Sequence, residues 1–336
     1  MTEMTVLNGV AIEELLTIPM AVEAVEQAYL EKSKGDAALW PMVFHEFDPG
    51  HADLDIKSGD LGGLGFYGLK VVSWFGANPG KGLPALYGTS LLFDLATGAP
   101  RALLNAGPIT DFRTGAAGAI GAKYLARPDA ETLLMAGTGA LAPYLIAATL
   151  YLLPQIKTVY VTNPHHPECS AAACEAITPQ VEKLLSGCGG CHAAIAAAPD
   201  LEKAVRHSDV ILTATPAREP FIKAEWVQPG THISCVGADM SGKQEVDSAL
   251  FASAKVFGDD TAQCLSVGEC EVPYKAGVFS GHICEIGGVI SGAEAGRTDA
   301  SDITIFDSTG IALQDIAAAA LLQAAQETGK GQTVTL

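Results

Sequence analysis

Residues 232–247 read HISCVGADMSGKQEVD: an apolar, strand-like run closes on a glycine, and Asp239 and Lys243 follow four positions apart. A carboxylate and an ammonium placed there are either ordinary polar loop residues or reactive groups held at the mouth of a cleft, the carboxylate carrying a proton. Upstream, TLLMAGTGALAPYLIAATL reads as a strand, then Gly137-x-Gly139-x-x-Ala142, then a helix. Glycines at that spacing let the backbone approach a pyrophosphate, whose charge meets a helix N-terminus. Gly137, Thr138, Gly139, Ala140 and Leu141 are therefore candidate dinucleotide contacts. The spacing gains weight from its context, because it begins a series of alternating strands and helices.

The next strand, TVYVTN, ends on Asn163, roughly 20 residues beyond the glycines, where an acidic residue selects NAD and an arginine accommodates NADP. Neither stands there. The missing arginine favours NAD, and His165 and His166 are left either as contacts to a 2′-phosphate or as plain loop residues. CGGCH, Cys188 to His192, matches the haem c attachment pattern. That chemistry needs export, and a zinc site needs a second ligand pair, which is absent from the sequence. The segment reads as a glycine turn with incidental thiols, and no metal is expected.

These residues need elements to hold them. Residues 17–34 have Met20, Ala21, Val25 and Tyr29 at helical spacing. From about 40 to 105, short β-rich runs (YGLKVVSWF, YGTSLLFDL, ALLNAG) alternate with Gly/Pro turns, which predicts a mainly antiparallel sheet. TDFRTGAAGAIGAKYLARPD is a small-residue helix stopped by Pro128. From 132 to 260, the runs TLLMAG, TVYVTN, HAAIAA, DVILTAT, HISCVGA and KVFGDD alternate with helical segments, the βαβ pattern of a doubly wound parallel sheet. A last strand, ITIFDST, leads into the alanine-rich GIALQDIAAAALLQAA, which is expected to pack back on the first domain. The expected fold is α/β: a Rossmann-type domain over 117–311, with an α+β substrate-binding and dimerisation domain over 1–116 and 312–336.

Composition narrows the partners. The formal charge of −18 argues against a nucleic-acid backbone or an anionic membrane surface. No apolar run reaches the roughly 18 uninterrupted residues of a membrane span. The N-terminus MTEMTVLNG carries no basic region or cleavage pattern, so a cytoplasmic protein with reduced thiols is expected.

Several segments together resemble the ornithine cyclodeaminase/μ-crystallin family. They are GLKVVSWFGANPGKGLPALYGTSLLFDLATGAPRALLNAGPITDFRTGAAGAIGAKYLARPDAETLLMAGTG, SDVILTATPAREP, VGADMSGKQEVD and FDSTGIALQDIAAA, spanning roughly residues 55 to 325. The resemblance implies a homodimer that uses NAD(P) at the Cα–N bond of amino acids or cyclic imines. It also implies that Lys70 of GLKVV and Arg113 of DFRTGAAG hold the substrate carboxylate. That role suits a planar guanidinium fork and a compact ammonium. It places the catalytic aspartate at Asp239, with Lys70 in the same catalytic set and Lys243 on the cofactor or orienting the loop. Thr215 in DVILTATP joins the cofactor contacts, Ser308 and Gly310 border the nicotinamide, and Asp315 fixes the helix that follows.

One departure stands out. The family's Pro-x-Arg, a third carboxylate contact, is here Pro41-Met42-Val43, so His45 or Lys57 is left to replace the arginine. The expected activity is hydride transfer at Cα of an α-amino or imino acid, in the sense of a dehydrogenase or an imine reductase. Cyclodeamination of ornithine to proline and ammonia is the alternative, with Glu46 or Asp55 receiving the side-chain amine. A crystallin-like ligand binder without catalysis is the rival from another class.

Overall fold

The fold, described by a computed structural model over residues 3–188, 193–317, 324, 325 and 327–336, separates into two compact units. Met1–Arg113 with Ile311–Leu336 form one, and Thr114–Gly310 form the other.

The first unit opens with β1 (Glu3–Leu7), α1 (Gly9–Leu15) and α2 (Ile18–Lys34). Thr17 caps α2 by accepting from Met20 N, Pro19 sits in its first turn, and Gly35 ends it in the left-handed region at φ 79°. Ile18, Ala21, Val22, Val25, Ala28 and Tyr29 are buried along one stripe. Then come β2 (Ala37–Leu39), β3 (Val43–Asp48), β4 (Ala52–Leu61), β5 (Phe66–Phe75), β6 (Leu86–Asp94) and β7 (Pro100–Asn105). β4 to β7 form an antiparallel meander, β2 and β3 both pair with β4, and β1 joins β7 in parallel. The register sets Lys57 opposite Lys70, and Lys70 opposite Ser90. Since residues directly opposite share a face, the two lysines stand side by side. Helix α3 (Ala106–Leu125) follows directly on β7.

From Thr114 onward the chain belongs to the second unit. There the small residues of α3 allow close approach: a Cβ on Gly115 would fall 2.6 Å from the Tyr144 carbonyl, and one on Gly121 would fall 2.4 Å from the Phe306 ring. The unit continues with β8 (Thr132–Ala136), α4 (Ala142–Leu152), β9 (Thr158–Thr162), α5 (Ser170–Leu185), β10 (Ala194–Ala197), α6 (Leu201–Arg206), β11 (Val210–Thr213) and β12 (His232–Cys235). It closes with β13 (Lys255–Gly258), α7 (Thr261–Val267), α8 (Glu271–Lys275), β14 (Cys284–Glu285), α9 (Ile286–Ser291) and β15 (Thr304–Asp307). The sheet runs β10-β9-β8-β11-β12-β15-β13-β14, with every pairing parallel. Leu133 to Ala136 and Val210 to Thr213 are fully buried, as strands covered on both faces must be. Strand order reverses between β8 and β11, so the carboxyl ends of these two strands flank the switch point where such sheets take ligands.

The chain returns to the first unit through α10 (Ala312–Ile316) and β16 (Gln332–Thr335), which pairs antiparallel with β1. α10 lies over the meander, with Leu313 against Gly59 and Ile316 against Gly68. The alanine-rich run after Ala317 lies largely outside the described residues, as does CGGCH beyond Cys188. The described cysteines are all free thiols, and no group of His, Cys, Asp or Glu among the described residues could hold a metal. No described helix is long and apolar enough to cross a membrane.

Candidate active site

In the first unit, β5 and the first half of α3 bring Lys70 and Arg113 onto one acid. Lys70 Nζ donates to Asp315 Oδ1 at 2.8 Å and to Thr110 Oγ1 at 3.4 Å. Arg113 Nη1 donates to Gln314 Oε1 at 2.9 Å, and Gln314 Nε2 donates to the Tyr29 hydroxyl at 2.7 Å. Arg113 Nε is 3.4 Å from the same Asp315 oxygen but makes no hydrogen bond, and Asp315 Oδ2 has no partner among the described residues. Burial pushes Lys70 down to about 8; Asp315 resists this, while Arg113 and Lys57 add to it. Burial raises Asp315, but Lys70 and Arg113 outweigh it and hold the carboxyl below its ordinary value. Two buried cations on one carboxylate leave positive charge over, with an unspent guanidinium N–H beside it. Such an arrangement can accept a further anion.

Asp315, expected to fix its own helix, instead serves as the counter-ion of Lys70 and Arg113. Lys57 stands beside Lys70 and adds its charge. His45 lies elsewhere: it is exposed on β3, opposite Leu54, which in turn faces Ser73 of β5, and its ring meets the Phe47 ring edge-on at 5.0 Å. Glu46 accepts from Gly50 N in the β3–β4 turn, and Asp55 is half-buried opposite Val72.

In the second unit, the glycine loop sits at the end of β8. Gly137, at φ 131°, is pressed against Ala214, whose oxygen a Cβ would meet at 2.6 Å. A Cβ on Gly139 would meet nothing within 4 Å, so the loop's second glycine faces open space at the N-terminus of α4. Thr138, Ala140 and Leu141 form the rest of the turn. Asn163 donates to Thr138 Oγ1 at 3.0 Å and accepts from His165 N and His166 N, so its side chain is tied into its own loop. His165 packs edge-on to Phe221, and His166 lies 3.3 Å from Glu168. At the end of β15, Ser308 is buried with its hydroxyl unpartnered among the described residues. An open backbone cradle after β8 and an unspent hydroxyl after β15, both at carboxyl ends of strands in one parallel sheet with β11 and β12 between them, fit a dinucleotide.

Asp239 and Lys243 lie in the loop after β12 and form an ion pair, the aspartate 51% exposed and the lysine 15%. Thr215, expected as a cofactor contact, donates both its N–H and its hydroxyl to Glu245 Oε1. Glu245 also accepts from Thr213 Oγ1 and Gly237 N, so it braces the ends of β11 and β12. Neither Glu245 nor the counter-ion role of Asp315 was evident beforehand. A lone acid in the apolar run GIALQDIAAA is a signal for Asp315, because an unpaired buried charge is costly.

The profile of the ornithine cyclodeaminase/mu-crystallin family matches residues 2–330. The chain belongs to that family. It is similar to the alanine dehydrogenase of Archaeoglobus fulgidus, 36% identical over 321 residues that cover 94% of this chain and 93% of the relative. Among ornithine cyclodeaminase/mu-crystallin structures, it superposes on an archaeal alanine dehydrogenase dimer with bound NAD at a TM-score of 0.86, with 35% identity and 99% of each chain covered. It also superposes on the iminosuccinate reductase of Paracoccus denitrificans in complex with NAD+ at a TM-score of 0.88, with 31% identity, covering 99% of this chain and 100% of that one.

Proposed function

We propose that this chain is an NAD(P)-dependent oxidoreductase acting at the Cα–N bond of an α-amino or imino acid, with NAD the favoured cofactor. The observation that carries the reading is the pair Lys70 and Arg113, two buried cations sharing the single carboxylate of Asp315. A substrate carboxylate is the anion they lack. Arg113 meets it through its unspent Nε–H, and Lys70 supplies a charge that is present below about pH 8. The loop from Gly137 to Leu141 holds the pyrophosphate, and Ser308 supplies a hydroxyl to the nicotinamide end. When bound, the nicotinamide takes up or delivers the hydride at Cα. Asp239 holds the proton that leaves the amino nitrogen on oxidation and returns on reduction, and Lys243 orients it. Lys57 supports the acid site through its charge.

The relatives act on an amino acid in one case and an imine in the other, by their names, which supports a pocket that serves both directions. A homodimer is part of the proposal. Val43, Phe44 and Phe47 on β3, with Trp40 and Met42 before it, are 40–54% exposed, more apolar surface in one stretch than a lone chain keeps. A cytoplasmic setting fits the free thiols.

The test is an NAD(P)H absorbance screen of the purified protein in both directions. It covers alanine, aspartate, ornithine and lysine, and pyruvate or oxaloacetate with ammonia. Turnover with at least one α-amino or imino acid is expected. Tight NADH binding without turnover of any of them would refute the enzyme reading in favour of a ligand binder. Ornithine converted to proline and ammonia without net cofactor change would move the activity to cyclodeamination.

A further inference from the structure

The loop carrying Asp239 is fastened at two points by a segment the proposed chemistry does not use. Glu271, at the start of α8, accepts from Ser241 Oγ and, at 2.7 Å, from Gly242 N, so it grips the apex of the loop. Lys275 pairs with the same carboxylate from one turn later. Glu269 accepts from Glu245 N at 2.8 Å and Val246 N at 2.7 Å, gripping the end of the loop. Between the two acids, Cys270 N donates to Asp307 Oδ2 at 3.0 Å, at the end of β15. The next residues are anchored in turn: Ser308 N donates to Cys235 O, while Thr309 N and Gly310 N donate to Asp259. The short run Glu269-Cys270-Glu271 thus ties the Asp239 loop to the strand end that presents Ser308.

We infer that Glu269 and Glu271 are positioning residues, a clasp that holds the Asp239 loop and the 307–310 segment in one fixed arrangement for the reaction. The inference rests on the reading of Asp239 as proton carrier. A carboxylate 51% exposed on a loop needs such a hold, because proton transfer demands hydrogen-bond reach and a misplacement of about 1 Å costs on the order of 100-fold in rate. The two acids are shifted in opposite directions. Glu271 is held below its ordinary carboxyl range: burial raises it, but Lys275, Ser241 and the Gly242 N–H outweigh that. Burial and the neighbouring Glu245 charge push Glu269 well above that range. Its Oε1 accepts two backbone N–H groups while its Oε2 has no partner among the described residues, so the grip rests on one oxygen. Glu245 accepts from four donors, which oppose the rise that burial causes in its own carboxyl.

The distinction sets the experiment. Glu269→Gln copies a neutral acid and retains the oxygen that accepts both N–H groups, so kcat within about threefold of wild type is expected. Glu269→Ala and Glu271→Ala release the loop, and kcat falls on the order of 10- to 100-fold while the Kd for NADH, measured by fluorescence and set mainly by the 137–141 loop, rises by no more than about threefold. Glu271→Gln, still able to accept from Gly242 N, recovers part of that loss. Amide hydrogen exchange should quicken over residues 237–246 in both alanine variants and stay slow over 132–162. Wild-type kcat in both alanine variants would overturn the clasp. Loss of NADH binding together with faster exchange throughout would overturn it too, by marking the acids as general supports of the fold. If the wild type turns over no amino or imino acid, the proposed function fails while the exchange pattern still decides whether the clasp exists.

Discussion

Lys70 and Asp315 stand 245 positions apart in the chain and meet at 2.8 Å, each only 2% exposed. Arg113 leans on the same carboxylate, so one acid restrains two cations without neutralising both. Substrate capture is therefore tied to the charge of Lys70. As pH rises through about 8, Lys70 loses its proton, and KM for the acid substrate should climb. Asp315 raises the Lys70 value, so Asp315→Asn should move that rise to lower pH. Initial rates across about pH 6–10 decide the matter; identical profiles would remove Lys70 from substrate binding.

Gly137 and Gly139 should respond in opposite ways to the same methyl group. Gly137→Ala drives a Cβ into Ala214 O at φ 131° and should cost about 2 kcal/mol or more of stability. Gly139→Ala enters open space, so the unliganded protein should stay within about 0.5 kcal/mol of wild type. The same change should weaken NADH binding on the order of tenfold, read as lost stabilisation by cofactor in a thermal melt. Undiminished cofactor stabilisation would place the dinucleotide elsewhere.

Asp239→Asn keeps the size of the side chain and removes its capacity to take a proton. kcat should drop on the order of 100- to 10,000-fold with NADH affinity preserved. Activity near wild type would mean that Asp239 carries no proton in the reaction.

His232 makes stability depend on acid in a defined direction. Its ring lies fully buried between Thr304 Oγ1 and Ser234 Oγ, each at 2.9 Å, and burial followed by Arg297 pushes it down to about 3. Below its unfolded value of about 6.5, the unfolded chain takes up a proton that the native ring refuses, so this contribution is lost as pH falls. Glu245 and Asp307, both raised to about 7 chiefly by burial, act oppositely, since the native state binds their protons first. A difference measurement isolates the ring. The penalty of His232→Asn in urea unfolding should be about 2 kcal/mol smaller at pH 5 than at pH 7. An equal penalty at both pH values would mean that the ring is not held neutral.

The second unit was the more legible half. Its strands are buried on both faces and so read as unbroken apolar runs, Leu133 to Ala136 being the clearest. β4 escaped notice because ADLDIKSGDL carries Asp53, Asp55, Lys57 and Asp60, and only Ala52, Gly59 and Leu61 of its residues are fully buried. Lys70 and Arg113 were found through family resemblance, whereas the partner that restrains them was hidden by distance along the chain. Glu245, Glu269 and Glu271 are not legible in the sequence, since nothing in KQEVD or GECE tells a solvated acid from one that accepts backbone N–H groups.

The strand β16 beside β1, and α10 over the meander, also set an order of assembly. During synthesis the Thr114–Gly310 unit has all of its residues as soon as Gly310 is joined. The unit that holds Lys70 must wait for residues 311–336, its β1 edge without β16 and Lys70 without Asp315. The half made before Thr114 is thus finished only after the half that follows it, and its unpaired sheet edge is the part of the fold most open to mispairing in the interval.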